Sequence, residues 1–394
     1  MDAKGWEYWS IVEKYTDEVI RIRRDFHMNP ELGNEEVRTS GIVAGVMEER
    51  GLEVKRGIAG TGVVGLLEGG EEGRVVALRA DMDALPIQDL KDAEYSSRCA
   101  GKMHACGHDA HMAVLLGTAM VLTELRRKLK GKVKFIFQPA EETTGGAKRM
   151  VEEGVLDNPK VDAVFGLHVS PEIQTGWPGI RYGVANACSD AFGVLIKGKA
   201  AHGANPEKGT DAIAIAAQLI NAYQYIVSRQ IDPLKPGVLT IGTISGGTQA
   251  NIIADEVKLT GTIRTLHENV RETIIERMES IAKNLCRGMG GDCEFLVIPG
   301  YPSLVNDDHM VKVVETAARK VVGNNLLYID SPRLGVEDFA YYLQKVPGAF
   351  WRLGTGNKKK GIECIPHNPY FDIDEDALAV GVAINTQIVL DFLA

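Results

Sequence analysis

Val133-Lys134-Phe135-Ile136-Phe137 runs straight into Gln138-Pro139-Ala140-Glu141-Glu142. Five residues rich in β-branched and aromatic side chains read as a strand, and the proline that follows blocks continued pairing. The acidic pair therefore leaves the sheet at the carboxyl end of a strand, where open α/β sheets build their sites. Consecutive residues leaving such a turn can point different ways. One carboxylate can hold a cation while its neighbour faces water.

Around this run the chain alternates. Val12, Tyr15, Val19, Ile20, Ile22 and Phe26 recur at helical spacing until Asn29-Pro30-Glu31, and a second helix is predicted from about Glu35 to Arg50, closed by Gly51. Val63–Leu67 and Val75–Leu78 flank Gly69-Gly70-Glu71-Glu72-Gly73 and read as a hairpin. A helix from Asp109 to about Leu129, a short helix after Gly145-Gly146 and a strand ending at His168 follow. Strands alternating with helices predict an α/β, three-layer domain around a mostly parallel mixed sheet. From about Cys188 the order becomes strand 191–197, helix 211–227, strands 238–244 and 257–264, helix 269–286 and strand 294–298. That is a βαββαβ, ferredoxin-like plan. The tail after Tyr301 looks like a return to the first domain. Residues 1–186 and 300–394 are thus expected to form one catalytic domain, with 187–299 as an inserted α+β lid.

Composition narrows the function. With 394 residues, two domains are the first expectation. A formal net charge of -9 opposes non-specific nucleic-acid binding. No apolar run reaches the roughly 20 residues of a membrane helix, and the first residues lack the apolar core of a secretory signal. Six cysteines are too sparse for a disulfide scaffold. Cys99, Cys188, Cys286, Cys293 and Cys364 read as free, partly buried thiols, and the cytoplasm is the expected compartment.

The sixth, Cys106, stands in Met103-His104-Ala105-Cys106-Gly107-His108-Asp109. Downstream, His168 ends an apolar run and His367 lies in Pro366-His367-Asn368-Pro369. Thiolate, imidazole and carboxylate together suit a borderline-soft divalent ion such as zinc. A spare glutamate beside a ligand glutamate suits proton transfer at a metal-activated water, so the chain reads as a metallohydrolase. His111, one helical turn after His108, and His104 are rival ligands; hydrogen bonding behind the ligands is the simpler role for both. Gly60-Thr61-Gly62-Val63-Val64-Gly65 fits a dinucleotide fingerprint but leads into a strand instead of opening a helix, so it reads as a loop. Lys358-Lys359-Lys360 reads as a solvated loop. A thiol protease built on Cys106 would leave the glutamate pair without a task.

Arg79-Ala80-Asp81-Met82-Asp83-Ala84-Leu85-Pro86, the His104–Asp109 segment, Gln138–Glu142, Ala201-His202-Gly203-Ala204 and Gly335-Val336-Glu337-Asp338-Phe339 occur in fixed order. From about Arg23 onward the chain resembles the aminoacylase/carboxypeptidase family of di-metal amidohydrolases, in the branch with hippurate hydrolases, auxin-conjugate hydrolases and thermostable archaeal carboxypeptidases. The resemblance implies two divalent ions per subunit, held by Cys106, His108, Glu142, His168 and His367. Zinc is the first expectation, with cobalt, manganese and nickel as alternatives. It implies Glu141 as general base and then acid, His202 polarising the scissile carbonyl, in the family sometimes from a partner subunit, and Asn251 and Arg264 anchoring a substrate carboxylate. The implied substrate is an N-acyl amino acid or the C-terminal residue of a short peptide, and the implied assembly a homodimer or homotetramer through the lid. Asp81 fills a slot where the wider family has a histidine, and Glu207 stands where relatives often have one; the roles of Asp81 and Asp83 stay open. Two other readings are a deacetylase of one N-acetylated metabolite, such as N-acetyl-diaminopimelate or N-acetylcysteine, and a non-catalytic binding protein with structural metal. The spare glutamate favours catalysis, since structural zinc needs no free carboxylate.

Overall fold

A computed structural model describes residues 2–394, and the chain divides into two compact units. The first comprises the chain up to Gly183 with Val305–Ser331 and Asp338–Ala394; the second comprises Val184–Leu304 with Pro332–Glu337.

In the first unit, helices α1 (Trp9–Met28) and α2 (Val37–Glu49) precede strands β1 (Glu53–Ile58), β2 (Gly62–Glu68) and β3 (Glu71–Asp81). Helix α3 (His108–Glu124), strand β4 (Lys130–Gln138), helix α4 (Gly146–Glu152) and strand β5 (Ala163–Gln174) follow. The eight-stranded sheet runs β1, β2, β4, β3, β5, then Gly348–Gly356, Pro178–Ile180 and Leu327–Tyr328. Its centre is parallel: β4 with β3, β3 with β5, and β5 with Gly348–Gly356.

Alternation along β4 covers both faces. Val133, Phe135 and Phe137 join the core formed with α1, α3 and the helices Asp308–Val322 and Asp376–Leu393. Lys134 points the other way, buried, its ammonium donating to the carbonyls of Val155, Asp157 and Pro159 just past α4. Three acceptors for three N–H groups let a lysine sit mid-strand. Helix α3 is buried from His108 to Leu122 and so shows no polar stripe. Asp376–Leu393 has the length and apolarity of a membrane span, a run the sequence reading overlooked; it is 83% buried inside the protein, as a core helix is.

Three local readings need correction. The hairpin predicted between β2 and β3 does not form: β4 pairs with both, antiparallel to β2 and parallel to β3. The Gly-rich link instead wraps the start of β4, with Gly69 and Gly70 donating to Gly131 and Leu129. The true hairpin joins β1 to β2. Only Ala59–Thr61 of the segment read as a loop is a turn, and the strand begins at Gly62. Strand β5 passes through His168 to Gln174 because Gly348–Gly356 pairs along it.

Glu315, on helix Asp308–Val322, ties down the sheet edge by accepting from Tyr182 Oη (2.7 Å), Tyr328 Oη (2.6 Å), Lys312 and Arg319. Burial alone would raise its carboxyl, but these donors outweigh burial and bring it down to about 2. Its stabilising share is therefore present above the ordinary value of 4.5 and is lost as pH falls toward 2. Glu315→Gln should lower Tm at pH 6, and its gap from the parent should close between pH 4.5 and 2. A gap that does not vary with pH would contradict this.

The second unit has a four-stranded antiparallel sheet in the order Gly237–Gly246, Glu256–Thr265, Cys188–Lys197, Asp292–Pro299. Phe192, Val194 and Ile196 alternate inward against helices Ala212–Tyr225 and Glu268–Gly288. Asp211 caps the first of these by accepting from the Ile213 and Ala214 N–H groups.

Candidate metal centre

Four of the five sequence-nominated donors enter from turns beside the parallel strands. Cys106 and His108 straddle Gly107, whose φ of +86° starts α3. Only glycine suits that turn: a Cβ there would meet Val169 Cγ2 at 2.4 Å. Glu142 leaves the turn after β4. His367, itself at φ +65°, is held by its N–H donating to Ala105 O at 2.8 Å. His168 is the exception, a mid-strand residue of β5.

These donors converge. Cys106 Sγ lies 3.4 Å from His168 Nε2, and Glu142 Oε1 lies 3.1 Å from His367 Nε2 and 3.9 Å from His108 Nε2. Ligand atoms of Cys106, His108 and His168 lie within 4.8 Å of one another, and so do those of Cys106, Glu142 and His367. Cys106 belongs to both groups. Two overlapping triads sharing a thiol are a geometry for two cations.

The imidazoles are pre-oriented. His108 Nδ1 donates to Asp83 O at 2.8 Å and His168 Nδ1 to Val169 O at 2.7 Å, so each presents Nε2. His108 Nε2 is buried without a hydrogen-bond partner among the described residues. A buried polar nitrogen left unpaired is what a cation would satisfy. Burial, then Glu142, pushes the Cys106 thiol well up; burial, then His111 and Arg352, pushes His168 well down. For Glu142 burial is outweighed by the His367 hydrogen bond and the His108 charge, and its carboxyl stays low. His367 is held up chiefly by the Glu142 hydrogen bond, against burial. The residues fit a divalent ion: soft and borderline donors, a carboxylate, and deprotonation that a cation would favour.

His111 donates from Nδ1 to Asp81 Oδ1 (2.5 Å) and accepts the Val169 N–H at Nε2 (3.0 Å), so both nitrogens are engaged. It orients β5 beside His168 instead of competing with it. His104 does not hydrogen-bond as expected. Both its nitrogens are buried without hydrogen-bond partners among the described residues, and burial pushes its pKa down to about 3. Asp83 carries more than the sequence showed: besides the His108 contact, its Oδ2 accepts the Glu142 N–H at 2.9 Å.

Glu141 is buried, and its Oε1 accepts the Asp338 N–H at 3.4 Å. Asp338 also accepts from Arg79 Nη2 (2.7 Å) and Gln138 Nε2 (2.8 and 2.7 Å), while Arg79 donates to Asp81 (2.6 Å) and Gln138 (2.8 Å). This network under Glu141 was missed. Its members stood in quoted motifs, but nothing local pairs residue 79 with residue 338.

In the second unit, His202 is exposed and pairs across a short ladder with Ile252, next to Asn251. Its Nδ1 accepts the Ala204 N–H at 3.0 Å, so the proton sits on Nε2, ready to donate. Arg264 pairs with Ser189, whereas the ladder lies past the Glu256–Lys197 end of the same strands. Arg264 lies eight positions along the strand from Glu256, roughly 26 Å at about 3.3 Å per residue.

The sequence profile of peptidase family M20/M25/M40 matches residues 77–391. The chain is 41% identical to thermostable carboxypeptidase 2 of Saccharolobus solfataricus over 97% of each chain, and 40% identical to N-acetylcysteine deacetylase of Bacillus subtilis over 92% of this chain and 93% of that one. A solved Bacillus subtilis structure, described as a dinuclear metal-binding peptidase of the M20 family, superposes with a TM-score of 0.85 at 36% identity, covering 97% and 99% of the two chains. The chain belongs to peptidase family M20/M25/M40 and is a metal-dependent hydrolase acting on amide bonds.

Proposed function

We propose that this protein hydrolyses the amide bond of N-acyl amino acids or releases the C-terminal residue of short peptides, with Glu141 moving the proton. The observation that carries this reading is the convergence of Cys106, His108, Glu142, His168 and His367 in two donor triads that share Cys106, with the carboxylate of Glu141 beside His108 and Glu142. Two divalent ions held by those five side chains, zinc by preference for thiolate and imidazole, would supply the positive charge that activates water and polarises the carbonyl. Glu141 accepts the proton of the attacking water on a carboxylate oxygen and returns it to the departing amine nitrogen. His202 Nε2–H donates to the carbonyl oxygen as negative charge develops there, a role worth about 3 kcal/mol per donor elsewhere. Asn251 and Arg264 hold the substrate carboxylate, Arg264 by paired N–H groups.

Since His202 and Asn251 lie at a separate two-stranded ladder, past the end of the strand opposite to Arg264, we read the site as shared between subunits of a homodimer or homotetramer formed through the second unit, acting as a lid. Mixing inactive Glu141→Gln and His202→Ala proteins should then restore part of the activity; no rescue after verified subunit exchange would count against sharing. Cytoplasmic residence goes with this reading, because Cys106 must stay reduced to serve as a thiolate.

Release of amine from N-acetyl and N-benzoyl amino acids, lost with chelator and regained with zinc, tests the function directly. No turnover across such a panel with several reconstituted metals would defeat it. Relatives named as a carboxypeptidase and as an N-acetylcysteine deacetylase make both peptides and N-acetyl amino acids worth including. Cys106→Ala should lower bound metal by elemental analysis, since its thiol stands in both triads. Unchanged stoichiometry would remove it from the ligand set.

A further inference from the structure

We infer that Glu36 is a positioning residue for Glu141, its buried carboxylate holding the left-handed turn at Ala140 from which the catalytic pair departs. Glu36 is fully buried at the start of α2. A buried carboxylate is costly unless its oxygens are hydrogen-bonded, and among the described residues no lysine or arginine pairs with it. Its two oxygens are spent elsewhere: one accepts the Ala140 N–H at 2.9 Å, the other the Thr61 hydroxyl at 2.6 Å.

Ala140 stands at φ +54°. A residue with a Cβ is disfavoured there, so the surroundings must hold the conformation. The Ala140 carbonyl accepts from the N–H groups of Gly145 and Gly146, at 3.0 and 3.3 Å, which fixes the far side of the turn. Glu36 fixes the near side. Gly33, in the same segment, comes so close that a Cβ on it would lie 3.1 Å from Ala140 Cα.

Glu141 is the residue next to the clamped Ala140, and Glu142 the one after it. The segment also grips the neighbouring turn. Ala84 donates to Glu31 O at 2.8 Å, one residue after Asp83, whose carboxylate receives the Glu142 N–H. The stretch from Glu31 to Glu36 thus braces both turns that aim the acidic pair, without supplying a ligand.

This inference rests on the reading of Glu141 as the proton-transfer group, and the test separates the two. In Glu36→Ala, amides of Ala140–Thr144 should exchange with deuterium faster than in the parent, a readout that needs no substrate. On an N-benzoyl amino acid, kcat should fall about 10²-fold with KM within about twofold and metal content unchanged, as expected for a misaimed proton-transfer group. Glu36→Gln should restore protection and most of kcat, because its amide oxygen still accepts from Ala140 while its NH2 donates to Thr61. Where Glu36→Ala does not fold, Glu36→Asp replaces it: one methylene shorter, it keeps the charge but cannot span both donors, and should show the same faster exchange and lower kcat. Unchanged exchange and kcat in the shortened variants overturn the clamp, as does a Gln variant no better than Ala. A parent protein that hydrolyses no N-acyl amino acid overturns the reading of function instead, and leaves the exchange result to judge the clamp.

Discussion

Glu141→Gln is expected to lose about 10³–10⁴-fold in kcat, the upper part of what general acid–base catalysis supplies, while keeping its metal and its Tm. The substitution preserves shape, and the amide oxygen can still accept the Asp338 N–H that Glu141 receives at 3.4 Å. On the proposed mechanism, what disappears is the ability to take a proton from water and give it to the amine. Glu142→Gln is the contrasting variant. Glu142 lies within the donor group with Cys106 and His367, so metal content should drop there together with activity. Elemental analysis beside steady-state kinetics distinguishes the two, and a Glu141→Gln protein within tenfold of the parent would remove the proton-transfer role.

Arg79→Met is expected to carry the largest stability cost. Arg79 is buried and lies between two buried carboxylates, donating to Asp81 at 2.6 Å and Asp338 at 2.7 Å. Taking one partner from a buried ionic network typically costs 3–5 kcal/mol, because charges remain that neither water nor the lost cation compensates. Burial alone would raise the Asp81 carboxyl; the charges of Arg79, His108 and His111 outweigh it and hold it well below its ordinary 3.8. That part of the stability is present above pH 3.8 and fades as pH falls below it. Urea titrations at pH 7 should therefore show a larger deficit for Arg79→Met than titrations in acid. A loss under about 1 kcal/mol at pH 7 would mean that the network is not the ionic keystone its geometry describes. Because Asp338 also donates to Glu141, activity should fall with stability.

Much of the site could be read locally. Cys106 and His108 flank a glycine that must turn, Glu141-Glu142 leave a proline-stopped strand, and His367 sits between prolines. Such residues announce themselves because a turn at a strand end has its own composition. His168 was nominated on the wrong premise, as a strand end, and proves to lie within β5. His111 shows the limit of spacing. One turn from His108 on the same helix face, it is indistinguishable by sequence, yet the Val169 N–H occupies its Nε2. The β2–β3 hairpin failed for a related reason: the strand that separates them starts at Lys130, about fifty residues after β3 ends, and pairs with both.

The sequence by itself determined which residue types could bind a cation and that strands alternate with helices around a mostly parallel mixed sheet. These are properties of short windows, set by side-chain period and turn chemistry. Only the tertiary structure decided which imidazole nitrogen stays open, that Arg79 meets Asp338, and that Glu36 reaches Ala140. Each of those depends on a hydrogen-bond partner from 58 to 259 positions away. Strand order sets such partnerships, and the hydrophobic pattern of a single strand carries no record of which strand lies beside it.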